Sequence, residues 1–456
     1  MILAPAIQNI DELLAQPFDF VIAGGGTAGL TLASLLSDDA SLKVLVLDRG
    51  VYRPDDLTIK TPGMWVMQLG NPEYDAGYMS VPQVATGRPM WFSAAKALGG
   101  GSTRSSLYTM GATAINGVLA PVNAMSFIPA PRNELKAWVE LGNSSESIDS
   151  LLNEVRAVEG YKESSLDAAA VHAATGKAEH RGSIGPLPGR HATFVPEIVE
   201  DWYKTLDAVG IPTQRDPRET GSNFGGFMVQ NCITDSNERA DAATSFYTSR
   251  ASRENLVIVT EAHILELSGI GNPAVLEAAG IKPNVDLPGV GENHHEHWSF
   301  GQSFRVQQQV TTLDHLRDPA QAKTEAELYA TSRTGALASG QVAVSYISAP
   351  YFFSKEEIVD MQQSLDEDIA VAPMGLGEQY KVMRDWLSNP DIPFIEIVVC
   401  RRLPEPPHPS EKFITMYTFL THPFSRGSIH IESPDPAAPP VIDPRFWSHP
   451  LGTRSI

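Results

Sequence analysis

Apolar positions cluster into short runs separated by glycine and polar turns, and the first of these runs is the most informative. Phe18-Asp19-Phe20-Val21-Ile22-Ala23 is apolar and β-branched, stops at three glycines, and passes into Thr27-Ala28-Gly29-Leu30-Thr31-Leu32-Ala33-Ser34-Leu35-Leu36. This predicts strand, tight turn and helix. Ala33 and Leu36 fall on the helix face that turns toward the sheet. Lys43-Val44-Leu45-Val46-Leu47 predicts a second strand, ending at Asp48. Residues near 133–180, with Glu154, Val155 and Val158, predict an amphipathic helical insert. Val342 to Ile347, Phe394 to Val399 and Phe413 to Phe419 read as further strands. The proline-rich stretch from Arg401 to Pro409 reads as a rigid, extended surface connection.

The glycines of the first turn are spaced Gly24-x-Gly26-x-x-Gly29. In a dinucleotide site the first allows the turn, the second lets the main chain approach a pyrophosphate, and the third permits close helix-to-strand packing. Phosphates would rest on the helix N-terminus at Gly26, Thr27 and Ala28, where free N–H groups and the positive dipole end converge. Asp48 lies 19 residues beyond Gly29, where a carboxylate accepts hydrogen bonds from an adenosine ribose. The competing reading is an ordinary glycine-rich turn. Arg49 would accommodate a 2′-phosphate or is a solvated strand end, the reading we favour.

Charge narrows the range of partners. Lys and Arg number 34 against 54 Asp and Glu, a net charge of −20, which repels phosphate backbones and anionic lipid surfaces. No nucleic-acid or membrane partner is expected. Apolar residues at 42% and charged residues at 19% exclude a wholly disordered chain. A length of 456 residues suggests two or three domains. Cys232 and Cys400, the only cysteines, cannot form a disulfide framework or a cysteine-only zinc site. Asp11 and Glu12 interrupt the stretch where a secretory signal would be apolar, and no apolar run reaches about 18 residues. The expectation is a soluble, cytoplasmic protein.

Several segments, in order along most of the chain, resemble the glucose-methanol-choline oxidoreductases, flavoproteins that oxidise alcohols. The opening FVIAGGGTAGLTLASLL is similar to that family's N-terminus, and Ala95-Lys96-Ala97-Leu98-Gly99-Gly100-Gly101-Ser102-Thr103 to its first signature. Gly182-Ser183-Ile184-Gly185-Pro186-Leu187, Arg253 to Thr260, Leu265 to Gly271, Asp286 to Asn293, Ser425 to Ile429 and Pro440 to Pro444 resemble later family segments. The resemblance implies an α/β fold: a Rossmann-like FAD-binding domain plus a second domain with an antiparallel sheet and helices. Residues 18–300 would form the FAD region, with the insert at about 133–180, and 301–456 the substrate region. It implies FAD as cofactor, a small-molecule alcohol as substrate, and flavin contacts at Ala97, Gly99, Gly100, Ser102, Ser105 and Ile264. It says nothing of oligomeric state.

Departures from the family pattern carry their own expectations. Arg104 and Ser105 stand where the first signature has an apolar residue and an asparagine, and Tyr108-Thr109-Met110-Gly111 lacks the family's arginine. Ser105 offers one hydrogen bond where an amide would offer two. Thr260-Glu261-Ala262-His263-Ile264 runs directly into Leu265, so a central strand of the wound sheet is missing and the sheet should expose an edge or repair itself by a shorter connection. His449-Pro450-Leu451-Gly452-Thr453 imitates the family's catalytic histidine segment. It follows only six residues after Asp443, where the family has a Ser-His-Pro-Leu turn, so His449 is expected to be a mimic at the end of a truncated chain. A flavin-binding protein without the C-terminal histidine pair is therefore the alternative to an active oxidoreductase. His294, His295 and His297 are not expected to bind metal, and His422 is read as structural. Trp65, Trp91 and Phe92 line a substrate cavity or are plain core.

Overall fold

The computed structural model describes residues 2–3, 9–103, 106–110, 118–122, 125–144, 146–163, 178–214, 216–260, 265–297, 299–340, 342–373, 375–400 and 410–454. The strands that organise it are β1 (Ile2–Leu3), β2 (Phe20–Ala23), β3 (Val44–Leu47), β4 (Gly225–Met228), β5 (Leu256–Val259), β6 (Ser299–Val306), β7 (Ala343–Ile347), β8 (Ile395–Cys400) and β9 (Lys412–Leu420). The helices that cover them are α1 (Thr27–Leu36), α2 (Arg132–Glu140), α3 (Glu146–Val158), α4 (Glu197–Ala208), α5 (Lys355–Val371) and α6 (Leu376–Trp386).

The first sheet has the order β1-β5-β3-β2. β2, β3 and β5 are parallel, and β1 closes one side antiparallel to β5. β3 and β5 are Val/Leu/Ile throughout and are buried along nearly their whole length, as strands covered on both faces must be. α1 returns over this sheet and buries Leu30 and Ala33 against Val44, Val46 and Ile258. β2, the strand that delivers the glycine turn, is the edge: among the described residues it pairs with β3 alone. Phe20 and Val21 are correspondingly 41% and 59% exposed.

The second sheet has the order β4-β7-β8-β9-β6 and is antiparallel throughout. β9 alternates buried and half-exposed along all nine residues, the period-2 signature of a strand with two different faces. One face, with Ile395, Ile397, Ala343, Ile347 and Met228, packs against Tyr203 and Leu206 of α4, Ile358, Met361 and Leu365 of α5, and Tyr380 and Met383 of α6. Leu365 is fully buried there, so its truncation to alanine should cost about 2–5 kcal/mol. The opposite face carries Phe227, Val344, Val398, Tyr417 and Phe419. α5 starts with a capping box in which Ser354 and Glu357 satisfy each other's backbone N–H groups. The sheet takes β4 from the region before residue 300, so the chain enters this layer more than once.

The predicted strands at 342–347, 394–399 and 413–419 coincide with β7, β8 and β9, and the insert supplies α2 and α3. Residues 401–409 lie outside the described residues. Among the described residues no helix is long and apolar enough to cross a membrane.

Candidate functional site

The glycine turn between β2 and α1 has a geometry that only glycine allows. Gly24 has φ +97°, and a Cβ on Gly29 would stand 1.9 Å from the Gly24 carbonyl oxygen. A Cβ on Gly26 would meet nothing nearer than 3.9 Å, the Gly100 Cα, leaving that side of the turn open. Gly26 caps α1 without any side-chain hydrogen bond, so the first-turn N–H groups at Thr27, Ala28 and Gly29 remain available to an anion. This is a cradle that side chains would fill and a pyrophosphate fits.

Gly99-Gly100 interlocks with that turn. The Gly99 N–H donates to the Gly25 carbonyl at 2.8 Å. Gly100, at φ +57°, comes so near that a Cβ on it would lie 2.8 Å from the Gly26 Cα. Two glycine loops distant in sequence thus make one backbone-lined wall. Asp48 ties the wall to β3: its Oδ2 accepts from Gly25 N at 2.7 Å and its Oδ1 from Gly50 N at 2.6 Å. Its expected role as a ribose acceptor is therefore shared with a structural one. Each carboxylate oxygen keeps a further lone pair for a sugar hydroxyl.

Several other expected site residues are engaged within the protein itself. Ser102 does not present a free hydroxyl, since it donates to Gly99 O at 2.6 Å and accepts from Ala242 N at 2.8 Å, bracing the loop. Ala97 is buried, with its backbone against Gly50. Arg49 is neither a solvated strand end nor aimed at a 2′-phosphate: its guanidinium lies 4.9 Å over the Tyr78 ring with one terminal nitrogen buried. Ser105 and Ile264 lie outside the described residues.

His449 packs in the helix-covered core. It is 7% exposed, 5.6 Å from the Tyr380 ring and 5.3 Å from Phe424, with Nε2 2.9 Å from Asp368 on α5 and Nδ1 accepting from Leu451 N. That places it among the residues of the α5–α6 face. His294, His295 and His297 lie outside regular helix and strand, and no metal-holding cluster occurs among the described residues. Burial pushes the Cys232 thiol up to about 12. Phe92 is core, stacked 6.1 Å from Phe446.

Sequence reasoning missed a polar row on the other face of the antiparallel sheet. Pairing register sets Tyr346, Glu396 and Phe419 side by side across β7, β8 and β9. Burial raises Glu396 to about 7, against a lowering by its hydrogen bond from Tyr346. His297 lies 4.9 Å from the Phe419 ring, and burial lowers it to about 4. Glu134 of α2 is pushed up to about 7 by burial. A lone acid in the apolar run Ile395-Glu396-Ile397-Val398-Val399 was the available signal.

A separate cavity of about 200 Å³ lies beside α3, lined in part by Phe127, Leu152, Val155, Arg181 and Arg218. Of its lining arginines, Arg181 pairs with Asp216 at 2.6 Å, Arg218 with Glu159 at 2.5 Å and Arg132 with Asp149 at 2.6 Å.

No family model matches the chain. A dehydrogenase of Armillaria gallica is 28% identical over an alignment covering 96% of this chain and 76% of that protein. Alcohol oxidase 2 of Komagataella phaffii is 25% identical, covering 95% of this chain and 67% of the oxidase. Among solved structures, an FAD-dependent oxidoreductase from Chaetomium thermophilum superposes with a TM-score of 0.80 at 23% identity, covering 96% of this chain and 80% of that one. A fungal aryl-alcohol oxidase gives 0.75 at 21% identity, with the same coverage. The chain shares their fold.

Proposed function

We propose that the chain is a glucose-methanol-choline oxidoreductase that binds FAD and oxidises the CH–OH group of a small alcohol. The observation that carries the reading is the pair of interlocked glycine turns beside an uncapped helix N-terminus, with Asp48 holding them to the sheet. Gly24, Gly26 and Gly29 would admit the pyrophosphate to the N–H groups of Thr27 and Ala28. Asp48 would accept from the adenosine ribose. Gly99 and Gly100 would let the flavin half pass close to the main chain. When bound, FAD supplies the two-electron acceptor; the protein supplies position, polarity and a place for the hydroxyl proton.

The whole chain, purified with FAD present and then freed of excess, is expected to keep oxidised flavin absorption bands. These bands should bleach when benzyl alcohol is added without oxygen. A chain that takes up no flavin would overturn the binding reading. Bound flavin that no primary alcohol bleaches would overturn the activity and favour the inert alternative.

A further inference from the structure

The cavity beside α3 shares no lining residue with the two glycine turns. It lies where the insert meets the antiparallel sheet. α3 presents Leu152, Val155 and Arg156, which at i, i+3 and i+4 share one helix face, and β4 contributes Phe227 and Met228. Apolar groups make one kind of wall, and cations make the other. Arg132, Arg156, Arg181 and Arg218 all line the cavity, against a single lining carboxylate, Asp216. In a chain of net charge −20 this is a local reversal of sign.

Three of the four arginines are held by the protein. Arg181 and Arg218, with side chains 4% and 14% exposed, pair with Asp216 and Glu159, and both donate to Gln230 Oε1. Arg132 pairs with Asp149. His180, also in the lining, has Glu179 at 3.5 Å. Four guanidinium groups and three partner carboxylates leave one positive charge unmatched, on Arg156. Its Nη1 reaches Asn153 Oδ1 at 3.4 Å, beyond the usual range of an N–H···O bond, and it forms no ion pair among the described residues.

We propose that this cavity binds a small aromatic monocarboxylate, its ring against Phe127, Leu152 and Val155 and its carboxylate on Arg156. The volume of about 200 Å³ exceeds the roughly 150 Å³ that holds one benzene ring, which leaves room for one small group and none for a nucleotide. A guanidinium fork matches a planar carboxylate with two parallel hydrogen bonds. Among the described residues Arg218 gives two hydrogen bonds, to Glu159 and Gln230, out of five N–H donors, so a second donor stands in the same wall. One unmatched positive charge calls for a monoanion. A phosphate ester, with about two negative charges at neutral pH, would crowd Asp216, and a neutral alcohol would leave Arg156 unpaired. The site does not depend on the FAD reading, since no residue of the glycine turns takes part.

The test is calorimetric titration of the full chain with benzoate, with benzyl alcohol, which keeps the ring and lacks the charge, and with acetate, which keeps the charge and lacks the ring. Benzoate is expected to bind at least about 10-fold more tightly than either. Arg156→Gln, on an exposed position of α3, should weaken benzoate by roughly 10-fold and leave benzyl alcohol unchanged. Val155→Trp, which fills the cavity, should abolish benzoate binding; if that variant does not fold, Arg156→Gln decides. No benzoate binding up to about 10 mM, acetate binding as tightly as benzoate, or benzoate affinity that survives Arg156→Gln would overturn the site. Flavin absorption is recorded in the same samples. Benzoate binding that shifts the flavin bands and persists in both variants would place the ligand at the cofactor and overturn the cavity, whereas the expected pattern in a chain without flavin upholds the cavity while the FAD reading falls.

Discussion

Replacing Glu396 by glutamine should stabilise the protein, and the gain should depend on pH. Glu396 sits in the middle of the antiparallel sheet, with its side chain 16% exposed, and burial raises its pKa from 4.5 to about 7. A carboxyl whose folded value is raised costs the fold nothing only while both states are protonated. Stability is lost as pH rises from the unfolded value through the folded one. A shift of about 2.5 units at about 1.36 kcal/mol each amounts to roughly 3 kcal/mol of destabilisation at about pH 8. At about pH 5, only about half a unit above the unfolded value and well below the folded one, the same cost is under about 1 kcal/mol. The glutamine would still accept the Tyr346 hydroxyl through its amide oxygen, so Glu396→Gln removes the charge and little else. For a chain of this length about 3 kcal/mol corresponds to roughly 3 °C in melting temperature. The assay is differential scanning fluorimetry of both proteins at about pH 5 and about pH 8. An increase confined to the higher pH supports the reasoning. An equal shift at both values, or a loss at the higher one, would refute it by showing that Glu396 is ionised at no cost.

Three further outcomes are expected. Gly29→Ala places a methyl 1.9 Å from the Gly24 carbonyl, so the purified variant should lose most of its flavin absorbance, along with at least about 1–3 kcal/mol of stability in denaturant titration. His449→Ala removes a packed ring beside Tyr380 and Phe424. It should lower the unfolding midpoint by the equivalent of about 1–3 kcal/mol, while the rate of flavin bleaching by alcohol in the folded fraction stays the same; a loss of several hundredfold would restore it as the base. His430 bridges Glu266 at 2.8 Å and Glu292 at 3.0 Å; burial lowers its pKa but the two carboxylates outweigh it, for a net rise. Its stabilisation is full below the ordinary histidine value and fades as pH rises through the raised one, so the melting deficit of His430→Asn should be larger at about pH 6 than at about pH 9.

The parts of the fold legible in the sequence are those where one local rule suffices. Phe20–Ala23, the glycine turn and Thr27–Leu36 were readable because strand, turn and helix each have their own residue pattern within a few positions. β7, β8 and β9 were readable for the same reason. What was not readable depends on which distant segments meet. Ser102 looked like a flavin donor, yet its hydroxyl is taken by Gly99 and Ala242, 140 positions away in the latter case. Arg49 looked solvent-exposed because it ends a strand, but Tyr78 covers it.

The sequence by itself determined the glycine cradle between β2 and α1, because glycine spacing dictates backbone geometry and backbone geometry is local. Only the tertiary structure decided that β2 is an open edge among the described residues, because strand neighbours are chosen by the whole sheet. Only the tertiary structure, likewise, brought Glu134 of α2 to His422 just past the end of β9 and lined Tyr346 up with Glu396. Those carboxyls and imidazoles have ordinary sequence surroundings. Their altered proton affinities come from burial, which exists only once the sheet has formed.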